Sequence, residues 1–172
     1  MIDIGPRLGD GYTDTLAHVL ALQPKGYALE FGVASGRTLR MIAEHMPVVG
    51  FDSFDGLPED WRDGFPAGRF ACPVPDVPGA EIVVGLFEDT LPSWKPPRRK
   101  LGLLHLDADL YSSTRTVLAH VGRLLKPGAY VVMDEYHGYP GMRLTRPAPG
   151  TSGSRRPAST STSSATAPSS SL

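Results

Sequence analysis

Residues 28–36, Ala-Leu-Glu-Phe-Gly-Val-Ala-Ser-Gly, constrain the fold more than any other part of the chain. A short run that is apolar except for Glu30 enters a turn opened by Gly32 and closed by Gly36. Beyond the turn, Leu39, Ile42, Ala43 and Met46 recur at helical spacing. A buried strand that passes through glycines directly into an amphipathic helix is the start of a βα unit. The glycine spacing differs from G-x-G-x-x-G, in which the glycines bring a helix N-terminus close to a pyrophosphate. Glu30 sharpens the difference, because a carboxylate aimed into the ligand crevice repels a pyrophosphate and attracts an ammonium or a hydroxyl group.

S-adenosylmethionine (SAM) offers such an ammonium, a sulfonium and a ribose, and carries no phosphate. Glu30, Gly32, Ser35 and Gly36 are therefore candidate cofactor-binding residues; the alternative is a glycine-rich turn of structural use only. The rest of the chain repeats the alternation of strand and helix. Thr13 can cap a helix that points Leu16, Val19, Leu20 and Leu22 toward the core and stops at Pro24 and Gly26. Strands are expected at Tyr27 to Phe31, Val48 to Phe51, Glu81 to Val84, Leu101 to Leu106 and Ala129 to Met133. A short helix is expected from about Asp89. A longer one, capped by Ser112 or Ser113, would bury Val117, Leu118, Val121, Leu124 and Leu125. Continuously apolar strands separated by helices imply parallel pairing with both faces covered, that is, an α/β, Rossmann-like, doubly wound sheet. The long connection from Ser53 to Gly79 is rich in Gly, Pro and aromatic residues, as binding loops and lids often are.

Ligands of such sheets bind beyond the carboxyl ends of the strands, so the strand ends carry the chemistry. Asp52 ends the second strand and can accept both hydroxyls of a ribose, or else cap the following turn. Ser53 shares that turn, and Phe54 and Phe87 could flank an adenine ring or belong to the core. Asp107, Asp134 and Glu135 follow the fourth and fifth strands. Three carboxylates brought together repel unless a cation sits among them, and hard oxygen ligands suit Mg²⁺; the alternative is separate capping roles without a metal. Asp107 and Asp109 are the candidate general bases, with Asp109 turned either beside Asp107 or out to solvent. His105, inside an apolar strand, reads as a satisfied buried histidine, and Cys72 in its Pro-rich loop lacks an activating neighbour.

Composition narrows the function classes. Through Met142 the chain has 13 basic and 18 acidic residues, a formal charge of −5, which disfavours a nucleic-acid binder. No apolar run approaches membrane-spanning length, the first residues lack a signal-peptide pattern, and the single cysteine cannot form an internal disulfide. A cytoplasmic protein without membrane or nucleic-acid partners is expected. The globular domain is read as residues 1–142. Residues 143–172, almost entirely Ser, Thr, Ala, Pro, Gly and Arg, are expected to be disordered, because so few apolar side chains cannot offset the entropy of ordering.

Several segments together resemble the class I SAM-dependent methyltransferases, and more narrowly the macrocin O-methyltransferase family. They are Leu29 to Thr38, Gly50 to Trp61, Gly85 to Pro92, His105 to Thr114, Leu125 to Gly128 and Met133 to Tyr136. The resemblance implies methyl transfer from SAM to a hydroxyl of a sugar or natural-product acceptor. Glu30, Gly32 and Gly36 would hold the methionine part of SAM, Asp52 the ribose, and Asp107, Asp134 and Glu135 a Mg²⁺. The loop with Trp61, Phe65 and Phe70 would help cover the acceptor. The family more often has two aspartates where this chain has Asp134-Glu135. Its members continue with a helix and two further strands, whereas the pattern here breaks off after Met142. A frameshifted or degraded copy is one reading of that break, leaving a fifth strand exposed to oligomerisation and a non-catalytic SAM- or partner-binding remnant as the alternative function.

Overall fold

In the computed structural model, the described residues are Gly11 and residues 13–134. Their elements follow the order α1 (Asp14–Ala21), β1 (Tyr27–Phe31), α2 (Arg37–Ala43), β2 (Val48–Asp52), β3 (Ala80–Val84), α3 (Phe87–Thr90), β4 (Leu101–Leu106), α4 (Tyr111–Val121) and β5 (Tyr130–Met133). The five strands form one sheet of order β3-β2-β1-β4-β5, and every pairing is parallel. From β1 the chain winds outward through β2 to β3, then returns to place β4 on the other side of β1. The reversal between β1 and β4 opens the crevice in which such sheets bind ligands.

Side-chain alternation on the strands builds two cores. On one face Ala28, Val48, Leu103 and Val132 pack with Leu16, Val19 and Leu20 of α1 and with Leu39 and Ile42 of α2. On the other, Tyr27, Leu29, Phe31, Val49, Phe51, Leu104 and Leu106 pack with Val117 and Val121 of α4. Phe31 and Phe51, in register on β1 and β2, stack with ring centroids 4.8 Å apart, and Phe87 meets Phe31 edge-on at 5.3 Å. Fully burying each such side chain is worth about 1.5–3 kcal/mol, so the sheet centre carries most of the hydrophobic stabilisation.

Several boundaries differ from the sequence reading. Helix α4 begins at Tyr111 after an extended Leu110, so neither Ser112 nor Ser113 caps it; the Ser112 hydroxyl instead donates to Glu59 Oε1 across the cavity mouth. Helix α3 starts at Phe87, two residues before Asp89. Leu22 and Leu118 are exposed, because Leu22 follows the last turn of α1 and Leu118 lies off the strip formed by Val117 and Val121. Thr13 precedes α1 without a side-chain cap bond; Asp14 Oδ2 accepts from the Gly11 amide at 2.8 Å. No helix among the described residues is long and apolar enough to cross a membrane. Glu135 and residues 143–172 lie outside the described residues.

Candidate active site

A cavity of about 750 Å³ lies at the carboxyl ends of β1, β2 and β4. Its floor is the turn after β1. Gly32 has φ +89°, and a Cβ there would collide with the Asp107 carbonyl oxygen at the end of β4. The glycine thus lets two adjacent strand ends close against each other. Gly32→Ala is expected to lower stability by more than 3 kcal/mol or to prevent folding, since backbone strain and overpacking add; a urea melt checks it. Val33, Ala34 and Ser35 continue the floor. Gly36 is not among the lining residues. It takes φ +75° ahead of α2, and its backbone packs beneath Val77 and Pro75.

Asp52 binds the second wall to the first. Its Oδ2 accepts from the Val33 and Ala34 amides at 2.7 and 2.8 Å, and its Oδ1 accepts from the Phe54 amide at 2.8 Å. The carboxylate therefore caps the following turn, as one sequence reading had it, and also the turn after β1, while half-buried on the cavity wall. Carboxylate oxygens have about four acceptor positions. Three bonds leave capacity for a ribose hydroxyl. Ser53 and Phe87 also line the cavity. Phe54 is placed differently: it has φ +60°, is buried in the core cluster with Leu39 and Val77, and is not among the residues that line the cavity.

Glu30 is likewise placed inside the fold. It is fully buried and pairs with His105, its register partner on β4, with Glu30 Oε1 2.8 Å from His105 Nδ1. Its other register partner, Gly50, has no side chain to compete for that space. The carboxylate thus meets an imidazole in the sheet instead of reaching the cavity. Burial acts to lower the His105 pKa, but the hydrogen bond and charge of Glu30, with the charges of Asp107 and Asp134, carry it above the usual histidine range. His105 is the satisfied buried histidine expected from the sequence.

Asp107, Asp109 and Asp134 come together at the cavity. Asp107 and Asp134 directly follow Leu106 and Met133, which are paired in register on β4 and β5. Asp109 takes φ +55°, a left-handed conformation that aspartate tolerates, and this keeps it on the cavity side with Asp107. Among the described residues no group of three potential metal ligands assembles. The pair of hard oxygen donors, Asp107 and Asp134, suits Mg²⁺, which commonly takes one or two carboxylates and keeps several waters.

The outer wall comes from the 53–79 connection, which is held by its own backbone bonds. The Leu57 amide donates to the Arg69 carbonyl at 2.9 Å, the Trp61 amide to Phe65 at 3.0 Å, and the Cys72 amide to Phe54 at 3.1 Å. Arg40 Nη2 donates to the Asp76 carbonyl at 2.9 Å, which ties the loop to α2. Trp61, Phe65 and Phe70 all line the cavity. Sequence reasoning missed Arg37, Glu59, Arg62, Ser112 and Thr116 as lining residues. None belongs to a strand end, and no local periodicity marks which polar side of a loop or helix faces a cleft. The Cys72 thiol pKa is raised by burial and by the Asp52 charge, the opposite of an activated nucleophile.

The parallel sheet with its crevice at the β1/β4 reversal defines the fold of a class I methyltransferase. The calicheamicin methyltransferase CalS11 shares it with a TM-score of 0.59 at 27% identity, over 70% of this chain and 63% of that one. Residues 78–146, about two fifths of this chain, match the family model described as Macrocin-O-methyltransferase (TylF). The chain is 31% identical over 106 residues to the Streptomyces olivaceus 8-demethyl-8-(2,3-dimethoxy-alpha-L-rhamnosyl)-tetracenomycin-C 4'-O-methyltransferase, a match covering 49% of this chain and 40% of the relative. The Streptomyces niveus demethyldecarbamoylnovobiocin O-methyltransferase is 30% identical over 106 residues, with the same coverage of 49% and 40%. The chain thus spans about two fifths of the length of these relatives.

Proposed function

We propose that this chain is an O-methyltransferase that uses SAM and methylates a hydroxyl of a sugar or natural-product acceptor. The observation that carries the reading is the convergence of Asp52 with Asp107, Asp109 and Asp134 on one cavity at the sheet reversal, in a chain similar to O-methyltransferases. SAM, when bound, supplies a methyl group made electrophilic by its sulfonium. The turn 32–35 receives the cofactor on backbone, and Asp52 accepts from a ribose hydroxyl while keeping the turn closed. Asp107 and Asp109 stand where a carboxylate can take the proton of the acceptor hydroxyl. Asp107 and Asp134 would hold a Mg²⁺, whose charge would lower the pKa of a hydroxyl brought to it. The loop wall orients the acceptor and excludes water, which converts binding energy into alignment.

Calorimetric titration with S-adenosylhomocysteine tests the cofactor half. Loss of a charge-assisted hydrogen bond is worth about 1.5–3 kcal/mol, so Asp52→Ala is expected to weaken binding at least about tenfold while the protein stays folded by circular dichroism. Equal affinity in the variant would remove Asp52 from the cofactor site. Methyl transfer to a panel of deoxysugar glycosides, with and without Mg²⁺, tests the reaction. Binding without turnover on every acceptor would instead favour a non-catalytic SAM-binding remnant.

A further inference from the structure

The edge of the sheet opposite the cavity carries a charge pattern that methyl transfer does not use. All the strands are parallel, so the segments that enter them share one edge. Residues 22–26, 91–100 and 122–129 enter β1, β4 and β5, which are neighbours in the sheet. The first segment contributes Lys25, the second Lys95, Arg98, Arg99 and Lys100, and the third Arg123 and Lys126. All seven cations are exposed, and the three segments contain no aspartate or glutamate. Among the described residues none of the seven forms an ion pair. The acids gather at the other edge, where six carboxylates line the cavity. Strands β1 and β4, of five and six residues, hold the two edges roughly 17–20 Å apart, about twice the Debye length at physiological salt. The basic edge therefore presents its own field to a partner.

The three segments are fastened to one another. The Tyr27 amide donates to the Lys100 carbonyl at 3.0 Å, and a Cβ on Gly102 would strike the Lys25 carbonyl oxygen, so the first two run backbone against backbone. Between the second and third lies a cleft of about 210 Å³, lined by Pro92, Trp94 and Pro96 on one side and by His120 and Arg123 on the other. Trp94 is anchored edge-on against Phe51, with ring centroids 5.3 Å apart. His120 Nδ1 donates to the Thr116 carbonyl at 2.9 Å, which leaves Nε2 for another partner. Pro24, Pro96, Pro97 and Pro127 fix φ within the segments, so little conformational entropy remains to be lost on binding.

We propose that this basic edge is a docking surface for a short acidic segment of another protein, with one carboxylate of that segment entering the cleft between Trp94 and Arg123. Charge complementarity selects an anionic partner, and the neighbouring residues limit its kind. Glu44, Asp76 and Glu81, all exposed, bound the patch where β2 and β3 begin. A long nucleic acid would run onto them, whereas a short segment stays among the cations. A bilayer surface is held by inserted apolar side chains as well as by charge; Leu22 is the one exposed large hydrophobic residue of the three segments. The cleft, being concave, suits a protruding side chain and not a flat surface. Because the surface lies at the opposite edge from the cavity, it stands independently of the methyl-transfer reading.

Fluorescence anisotropy of a labelled dodeca-glutamate peptide, titrated with the full chain, tests the proposal. Saturable binding is expected, weakening at least about fivefold between about 50 mM and about 300 mM NaCl as the charges are screened. Arg98→Ser/Arg99→Ser is expected to weaken binding about five- to tenfold, Arg98→Lys/Arg99→Lys to retain most of it, and Arg123→Ser to weaken it about three- to fivefold. Arg115→Ser removes the same charge as Arg123→Ser from an exposed position of α4 outside this edge, and is expected to change the affinity less than about twofold. Circular dichroism checks that each variant is folded. Absence of saturable binding, or equal losses in Arg123→Ser and Arg115→Ser, overturns the proposal. Tighter binding of a single-stranded oligothymidylate of equal length, or of phosphatidylserine vesicles, also overturns it and moves the surface to a nucleic acid or a membrane.

Discussion

Glu30→Leu is expected to destabilise the fold by about 3 kcal/mol, where the cost of a buried unpaired hydrogen-bonding group meets that of a broken buried ion pair. The carboxylate lies wholly inside the sheet with His105 Nδ1 2.8 Å away, so its loss strands an imidazole that water cannot reach. Replacing both partners by leucine is expected to recover most of the loss, because the stranded polar group goes too. Urea denaturation of the two single variants and the double variant measures the coupling directly. Additive losses would mean that the two side chains do not act as a pair.

The same pair sets a pH dependence of definite sign. The His105 pKa is raised in the folded protein, so the folded state binds a proton that the unfolded state releases near pH 6.5. Its contribution is fully present below about pH 6.5 and is lost as pH rises through the higher folded value. The stability advantage of the wild type over Glu30→Gln is therefore expected to shrink as pH rises above about 6.5, the ordinary histidine value. An advantage that grows over this range would contradict a protonated His105.

Asp107→Asn is expected to lower kcat for methyl transfer by about 10²–10⁴-fold, the usual contribution of a positioned acid or base, while S-adenosylhomocysteine affinity changes less than about threefold. The split follows from position. Asp107 ends β4 beside Asp134 at the end of β5, whereas the cofactor contacts proposed above lie on the β1 turn and on Asp52. Single-turnover rates with and without Mg²⁺ separate the two jobs of the carboxylate. A variant with wild-type kcat would assign the base to Asp109 alone.

Much of this protein is legible in its sequence because period and punctuation are local properties. Apolar runs between glycines and prolines mark the five strands within a residue or two. Alternation with helical spacing implies their parallel pairing. Acids directly after those runs reach the carboxyl edge of the sheet, which is how Asp52, Asp107 and Asp134 can be found without coordinates.

What only the tertiary structure decided is where a side chain turns once neighbouring strands are in register. Glu30 looks like a ligand residue beside its glycine turn, yet registration of β1 with β4 sets it opposite His105 and the pair is buried. Phe54 and Asp109 both adopt positive φ, which sends one into the core and keeps the other at the cavity. The aromatic wall depends on hydrogen bonds between loop residues about a dozen positions apart, such as Leu57 to Arg69. Periodicity registers which face of a regular element is apolar. It carries no information on cross-strand partners or on left-handed backbone at a non-glycine residue, since both are fixed by contacts distant in the chain.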